Sequence, residues 1–184
     1  MEYFTSDWHL NHMNKHGGII KYCNRPFKDV IDMKTTIYIN AFSKLKRGDL
    51  LYYLGDFSFD RRETENFFNE MYHIGVQVHF VLGNHDYKTD KIIKERSVWY
   101  GDLKSIKIKG QDITLCHYAM RVWPKSHFNA WHLYGHSHGG LSEWGKSWDV
   151  GVDNNNFQIL SFDDIANIMA NQPDNFNLIK EEKV

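Results

Sequence analysis

The stretch "VHFVLGNHDYKTDKIIKER", residues 78–96, places a strand pattern, a polar turn and a helix pattern one after another. Its apolar run stops at a glycine, as buried strands often do, and the segment "KTDKIIKER" has a helical pattern. We predict a strand at this apolar run and at each similar run along the chain. These further runs are "EYFTS" (2–6), "DLLYYLGD" (49–56), "DITLCHY" (112–118), "WHLYGHSHG" (131–139) and "WDVGVD" (148–153).

Helical patterns lie between several of the predicted strands. They are "DVIDMKTTIYINAFSKLK" (29–46) and "RETENFFNEMYHIG" (62–75), the second with Gly75 as its predicted C-cap. The alternation of strand and helix indicates an α/β fold. Residues 105–118 instead have the pattern of a hairpin that turns at Lys109 to Asp112, and few helices follow. We therefore expect a mixed sheet, or two packed sheets.

The C-terminal part of the chain carries a helix signal followed by a polar tail. Ser161 precedes Asp164 by three residues in "SFDDIANIMA", the spacing of a capping box that opens a helix. The tail, residues 171–184, is rich in polar side chains, and we expect it to be frayed.

Length and charge limit the classes of function. A chain of 184 residues with 42% hydrophobic content fits one domain, residues 1–184. A formal net charge of -1 gives no global positive field, so we expect no extended nucleic-acid groove and no membrane partner. Two cysteines cannot form a disulfide framework, and no apolar run approaches the roughly 20 residues of a membrane span. These features predict a cytoplasmic protein.

Polar side chains able to bind metal follow nearly every predicted strand. In open α/β sheets the carboxyl ends of strands converge on one crevice, so we expect these side chains to lie close together. His136 and His138 are two residues apart, which directs both side chains to the same side of an extended chain. The candidate ligands are Asp7, His9, Asp56, Asn84, His117, His136 and His138.

This ligand set favours two metal ions over one. Seven candidates exceed the four ligands of a closed zinc site, and a carboxylate such as Asp56 can bridge two ions. Nitrogen and oxygen ligands without thiolate suit manganese, iron, cobalt, nickel or zinc better than calcium or magnesium. We expect two divalent transition-metal ions, with manganese as the first choice, in the arrangement that clamps a phosphoryl group in transfer.

Five short motifs occur in a characteristic order: D-x-H in "SDWH" (6–9), G-D in "LGDFSFD" (54–60), G-N-H-D in "LGNHD" (82–86), the histidine of "CHYAM" (116–120) and G-H-x-H in "YGHSHG" (134–139). Through them the sequence resembles the calcineurin-like metallophosphoesterases. The segments "YCNRPF", "HYAMRVWPKSH" and "WDVGVDNNNF" further resemble a branch of small single-domain phosphoesterases of bacteria and phages.

The resemblance implies a fold and a chemistry. The fold would be a four-layer sandwich of two mixed β-sheets flanked by helices, with the site at the strand ends. Phosphate esters would be hydrolysed by in-line attack of a metal-bridging hydroxide. His85 would bind no metal and would face the phosphate, as general acid or as hydrogen-bond donor. One ion would be held by Asp7, His9, Asp56 and His138, and the other by Asp56, Asn84, His117 and His136.

Several further residues are candidates for substrate contact besides His85 and Asn84. Arg25 precedes a proline and could bind phosphate through its guanidinium, or it could form a surface ion pair. His12 and Arg121 lie close in sequence to ligands and could also reach substrate, or could be solvated.

The motif around the second strand departs from the pattern of larger family members. They read G-D-x-x-D, and the second aspartate helps to orient the catalytic histidine, whereas Asp60 stands one position later here. The orienting partner of His85 is therefore open, and we expect Asp86 to brace the loop of His85.

We expect a phosphodiesterase acting on nucleotide-type or other small phosphodiesters. The alternatives are a phosphomonoesterase, including a protein phosphatase, and, in a different class, a non-catalytic metal-binding interaction module with the same fold. The oligomeric state is left open.

Overall fold

A computed structural model describes residues 1–142 and 144–179. The described residues form nine strands and five α-helices. The strands are β1 (Glu2–Thr5), β2 (Leu50–Tyr53), β3 (Gln77–Val81), β4 (Trp99–Gly101), β5 (Leu103–Ile108), β6 (Gln111–Cys116), β7 (Trp131–Tyr134), β8 (Ser147–Asp149) and β9 (Leu160–Ser161). The helices are α1 (Gly18–Tyr22), α2 (Val30–Lys44), α3 (Arg61–Ile74), α4 (Asp90–Arg96) and α5 (Phe162–Asn171).

The strands form two mixed sheets, as the sequence predicts. The first sheet has the order β4-β3-β2-β1-β9, in which β9 is antiparallel to β1 and the other neighbours are parallel. The second has the order β5-β6-β7-β8, in which β5 and β6 form the predicted hairpin and the other neighbours are parallel. The hairpin turns at Lys109 and Gly110, whose φ values of 47° and 88° suit a tight two-residue turn, so the turn is shorter than the predicted Lys109 to Asp112, and Gln111 and Asp112 belong to β6.

Alternate residues of the first sheet enter two different cores, because successive side chains of a strand point to opposite faces. Tyr3 and Leu51 pack with buried side chains of α2, α3 and α4. Phe4 and Tyr52 face the second sheet and share a core with its residues, such as Leu133, and with α5. Helices therefore cover the outer face of the first sheet, and the second sheet covers its inner face.

The predicted helices are confirmed within two residues at each end, including the αL C-cap at Gly75 with φ 84° and the capping box at Ser161. The prediction of a frayed tail is wrong for the described part. Asn175 is buried, its side-chain amide donates to backbone oxygens of Ser126 and Ala130, and the Ile179 N–H donates to His127. Residues 180–184 of that prediction lie outside the described residues.

None of the helices built by the described residues combines the length and the apolar character needed to cross a bilayer.

Candidate metal centre

The centre lies where parallel strands of both sheets end. The loops after β1, β2 and β3 come from the first sheet, and the loops after β6 and β7 come from the second. Their polar side chains meet at a cavity of about 250 Å³, as the strand-end argument predicts. The cavity is lined by His9, His12, Ile19, Tyr22, Asp56, His85, His136 and His138.

The backbone is strained at most of the candidate ligands. Five of the seven have a positive φ, a conformation that residues other than glycine seldom adopt and that costs about 1–3 kcal/mol each. Such strain persists only where the surrounding structure imposes it, and it concentrates at functional sites. The residues and φ values are Asp7 (60°), His9 (49°), Asp56 (59°), His136 (66°) and His138 (49°).

Glycine is required where the two sheets approach each other at the site. A Cβ on Gly135, the residue after β7, would collide with the Ser6 hydroxyl and with Oδ2 of Asp7. The missing side chain lets the next residue come close, so that the His136 backbone N–H donates to Asp7 Oδ2 at 2.9 Å. A loop of the second sheet is thereby bonded directly to a candidate ligand of the first.

One group of ligand atoms contains Asp7, His9 and His138, all within 4.8 Å of one another. Asp7 Oδ1 and both ring nitrogens of His9 are buried and have no hydrogen-bond partner within residues 1–142 and 144–179. A buried polar atom without a partner is costly, whereas one bound cation would satisfy Asp7 Oδ1 and the His9 Nε2, which lie 3.7 Å apart. This donor set therefore fits a metal ion.

A second group contains Asp56, His117 and His136, again within 4.8 Å of one another. The ring of His117 is oriented by its Nδ1, which lies 2.7 Å from the backbone oxygen of Leu54. Its Nε2 lies 3.2 Å from Asn84 Oδ1 and therefore faces the site. Metal-binding histidines are usually held in this way through the nitrogen that does not bind the ion.

The Asp56 carboxylate lies between the two groups. Its Oδ2 is 3.6 Å from His9 Nε2 and 3.4 Å from His117 Nε2, whereas its Oδ1 accepts a hydrogen bond from the His85 N–H. Burial alone would raise the pKa of Asp56, but the contacts with His117 and His9 outweigh burial and lower the pKa to about 2. The carboxylate is thus ionised and lies within 3.6 Å of a histidine of each group.

His138 lies in a negative environment. Burial alone would lower its pKa, but the hydrogen bond to Asp153, with the carboxylate of Asp7 close by, raises the pKa to about 10. Surroundings that stabilise a proton on an imidazole also stabilise a metal cation in its place.

His85 stands at the edge of the two groups. Its side chain is 39% exposed, and its Nε2 lies 4.0 Å from Asp56 Oδ2. Asp60 is not available as its orienting partner, because its carboxylate caps α3 by accepting the Glu63 N–H. Within the described part of the chain the His85 ring forms no hydrogen bond, although its ring centroid lies 5.0 Å from that of Phe59.

Asp86 braces the loop of His85, as the sequence predicts. It is 1% exposed, and its carboxylate accepts three backbone N–H groups. Two belong to Asp56 and Phe57, and the third belongs to Gly83, at distances of 2.8–3.0 Å. The carboxylate therefore ties the loop after β3 to the loop after β2.

His12 is brought into the site. Its ring centroid lies 5.5 Å from that of His9 and 6.1 Å from that of His85. Burial, together with the charges of these neighbouring histidines, lowers the pKa of His12 to about 4, so its ring is neutral at pH 7. A neutral ring at the rim of the cavity can accept or donate one hydrogen bond to a substrate.

The two arginines are not placed as predicted. Arg25 is buried, and all of its N–H groups have acceptors inside the protein, so it has no donor left for a substrate phosphate. The alternative of a surface ion pair is also wrong, because its partner Asp153 is buried with it. Arg121 is exposed and its guanidinium stacks over the ring of Trp144 at 4.8 Å, and it does not line the cavity.

Two aspartates that contact the site escaped the sequence argument, although one ends strand β8 and the other follows it. Asp149 is 3% exposed and holds the loop of the two histidines by accepting the Ser137 hydroxyl and the Gly139 N–H. Asp153 accepts from His138 Nδ1 and from Arg25. The signal that found the ligands, a polar side chain after a strand, is present in "WDVGVD" as well.

The chain is similar to a protein family and to individual known proteins. The calcineurin-like phosphoesterase family matches residues 3–181. An uncharacterized protein of Methanocaldococcus jannaschii is 30% identical over 174 residues, covering 91% of this chain and 90% of the relative. A solved structure, a protein of unknown function from Aquifex aeolicus, has a TM-score of 0.69 and 25% sequence identity, and the similarity covers 91% of this chain and 98% of that chain. The family match over nearly the whole chain shows that this chain belongs to the calcineurin-like phosphoesterases.

Proposed function

We propose that the protein is a phosphodiesterase that acts on nucleotide-type or other small phosphodiesters and uses two divalent transition-metal ions. The observation that carries this proposal is the position of Asp56 Oδ2, within 3.6 Å of His9 in one ligand group and 3.4 Å of His117 in the other. The first site would use Asp7, His9, His138 and Asp56, and the second would use Asn84, His117, His136 and Asp56.

The bound ions would supply an activated water and would offset negative charge on the phosphoryl oxygens. Proton transfer to the leaving group would be carried out by a side chain of the protein. His85 binds no ion, and its half-exposed ring would give a proton from Nε2 to the departing oxygen. The bond from the His85 N–H to Asp56 Oδ1 keeps that ring next to the ligand groups.

The walls of the cavity support a small substrate with an apolar or aromatic part. The cavity measures about 250 Å³, and Ile19 and Tyr22 line it beside the histidines. Tyr22 is 82% exposed, and its ring centroid lies 6.4 Å from that of His138. An exposed aromatic ring next to a phosphate site offers a surface on which a base can stack.

The test uses protein stripped of metal with a chelator and then supplied with manganese or magnesium. We expect no activity after stripping, two manganese ions bound per chain, and better recovery with manganese than with magnesium. Bis(4-nitrophenyl) phosphate should be cleaved faster than 4-nitrophenyl phosphate. A preference for the monoester would indicate a phosphomonoesterase, and two bound ions without turnover of either ester would indicate a binding module.

A further inference from the structure

A buried ion pair joins two distant segments behind the centre. Arg25 follows α1, and Asp153 follows β8, 128 residues later. The guanidinium meets the carboxylate through two parallel hydrogen bonds, Nε to Oδ1 and Nη2 to Oδ2, both 2.7 Å long. The side chains are 0% and 8% exposed. Burying a charge pair is costly unless its geometry is good and its other polar atoms are satisfied, so the remaining contacts of both residues matter.

The other contacts of Arg25 reach the loop after β1. Its Nη2 donates to the backbone oxygen of Asp7 at 2.7 Å, and its Nη1 donates to the backbone oxygen of Trp8 at 2.9 Å. These are the peptide groups between the two ligands Asp7 and His9, both of which have strained, positive φ values. Arg25 therefore holds the backbone that presents both ligands.

The other contact of Asp153 reaches the loop after β7. Its Oδ2 lies 2.7 Å from Nδ1 of His138. The hydrogen bond fixes the orientation of the imidazole, leaves Nε2 for an ion, and makes that nitrogen a better donor of electrons. Arg25 in turn holds the carboxylate in place. One ion pair thus contacts Asp7 and His138 of the first group, and through the Trp8 oxygen it holds the peptide group that leads into His9.

The second group is supported differently. The Nδ1 of His117 is held by the backbone oxygen of Leu54, not by a charged side chain. Within the described residues, neither Arg25 nor Asp153 forms a hydrogen bond with Asn84, His117 or His136. The two metal sites therefore depend on different supporting groups.

We propose that Arg25 and Asp153 are positioning residues that set the metal affinity of the first site and leave that of the second unchanged. This inference rests on the proposed two-metal function. Loss of an outer partner of a metal ligand typically weakens metal binding about 10- to 100-fold. We expect Asp153→Asn to weaken one of the two manganese sites within this range, because an amide cannot accept from His138 and from both donors of Arg25 together.

The nearby Cys23 does not make this region a third metal site. Its Sγ lies within 4.8 Å of a ring nitrogen of His138 and of a carboxylate oxygen of Asp153. Both oxygens of that carboxylate already accept from the guanidinium of Arg25, whose fixed positive charge opposes a cation at this place.

The experiment measures manganese binding to the full chain by calorimetric titration and by metal analysis after desalting. Wild type is expected to bind two ions. Asp153→Asn and Arg25→Lys are each expected to keep one site at wild-type affinity and to weaken the other. The control is Lys34→Met, which breaks a partly buried ion pair with Glu63, 2.9 Å long, between α2 and α3. It should lower the melting temperature and leave both manganese affinities unchanged.

A double-mutant cycle separates a local effect from a general one. Asp153→Asn should have a smaller effect on manganese binding in a His138→Ala background, where only its support of Arg25 remains, and its full effect in a His117→Ala background. Unchanged affinities in both single variants, or equal weakening of both sites, would overturn the inference and leave the two-metal proposal standing. A wild-type protein that binds neither manganese nor iron, cobalt, nickel or zinc would overturn the proposed function itself.

Discussion

The two oxygens of Asp56 have different partners. Oδ1 accepts the His85 N–H, and Oδ2 faces histidines of both ligand groups. Replacing Asp56 with asparagine removes the charge and leaves an amide, which bridges two cations poorly. We expect Asp56→Asn to lose one or both ions. Turnover should fall by more than about 100-fold, the largest loss typical when a residue that only supports a metal ligand is replaced. Metal analysis and kcat on a nitrophenyl diester check this result.

A variant of His9 also tests whether Asp56 is the ligand shared by both ions. His9 contributes to one group only, so His9→Ala should leave the second site occupied. If Asp56→Asn kept two ions and near-normal turnover while His9→Ala did not, Asp56 would not be the bridge.

His85 calls for a different kind of experiment, because it lies beside the ligands without belonging to either group. If its ring protonates the departing oxygen, His85→Ala should slow the hydrolysis of an alkyl ester, which has a poor leaving group, by about 10²- to 10⁴-fold. The hydrolysis of a nitrophenyl ester, which has a good leaving group, should hardly change. Metal content should not change. Equal losses on both esters would indicate stabilisation of charge on the phosphoryl oxygens, and loss of an ion would make His85 a ligand.

Single residues also show where sequence reasoning stops. The candidate ligands follow strands, and that local pattern suffices to select them. The role of Arg25 depends on Asp153, 128 residues away, so no local pattern distinguishes a phosphate-binding arginine from one that is bonded within the protein. The same holds for Asp60, which stands one position after the motif aspartate of larger family members and caps a helix.

At the scale of elements, strand prediction succeeds where an apolar run is long enough to show its period. The strands β4 and β9 lie outside the predicted runs, because they have three and two residues without a recognisable apolar run and their pairing is decided by neighbouring strands. The prediction of a frayed tail is wrong for a related reason. Asn175 is fixed by backbone oxygens of the loop before β7, and an asparagine in a polar segment carries no sign of such a contact.

The end of β7 offers a test of how an element positions the site. A methyl group on Gly135 would meet Asp7 and Ser6 and would separate the loop after β7 from the loop after β1. We expect Gly135→Ala to break the bond between the His136 N–H and Asp7 and to weaken manganese binding at least tenfold. Manganese titration measures this effect.

The matched control for that variant is Gly140→Ala, in the same loop. A Cβ on Gly140 would meet only the backbone oxygen of Ser137, at 3.0 Å, and no ligand. We expect its manganese affinity to stay within twofold of wild type. Equal weakening in both variants would mean that the loop is merely sensitive to substitution, and that the approach of β7 to Asp7 does not matter for the metal.

At the scale of the whole molecule, the centre connects the two sheets. Asp7, His9, Asp56 and Asn84 follow strands of the first sheet, whereas His117, His136 and His138 follow strands of the second. Without an ion, the site brings together buried carboxylates and imidazoles, and Asp7 Oδ1 and both nitrogens of His9 have no hydrogen-bond partner among the residues that the structure describes. Bound ions should therefore stabilise the folded protein as a whole, in addition to any role in catalysis.

This connection predicts a metal-dependent melting temperature. Free manganese at 100 times its dissociation constant stabilises the folded state by about 2.7 kcal/mol for each site, which for a chain of this size is roughly 5 to 10 °C. Hydrogen exchange should slow in the loops of both sheets, at residues 54–57 and 135–139, when manganese is added to stripped protein. Asp56→Asn should reduce the slowing in both loops, because Asp56 is the ligand assigned to both ions. Slowing in the loop of one sheet alone, with an unchanged melting temperature, would mean that the ions do not join the two sheets.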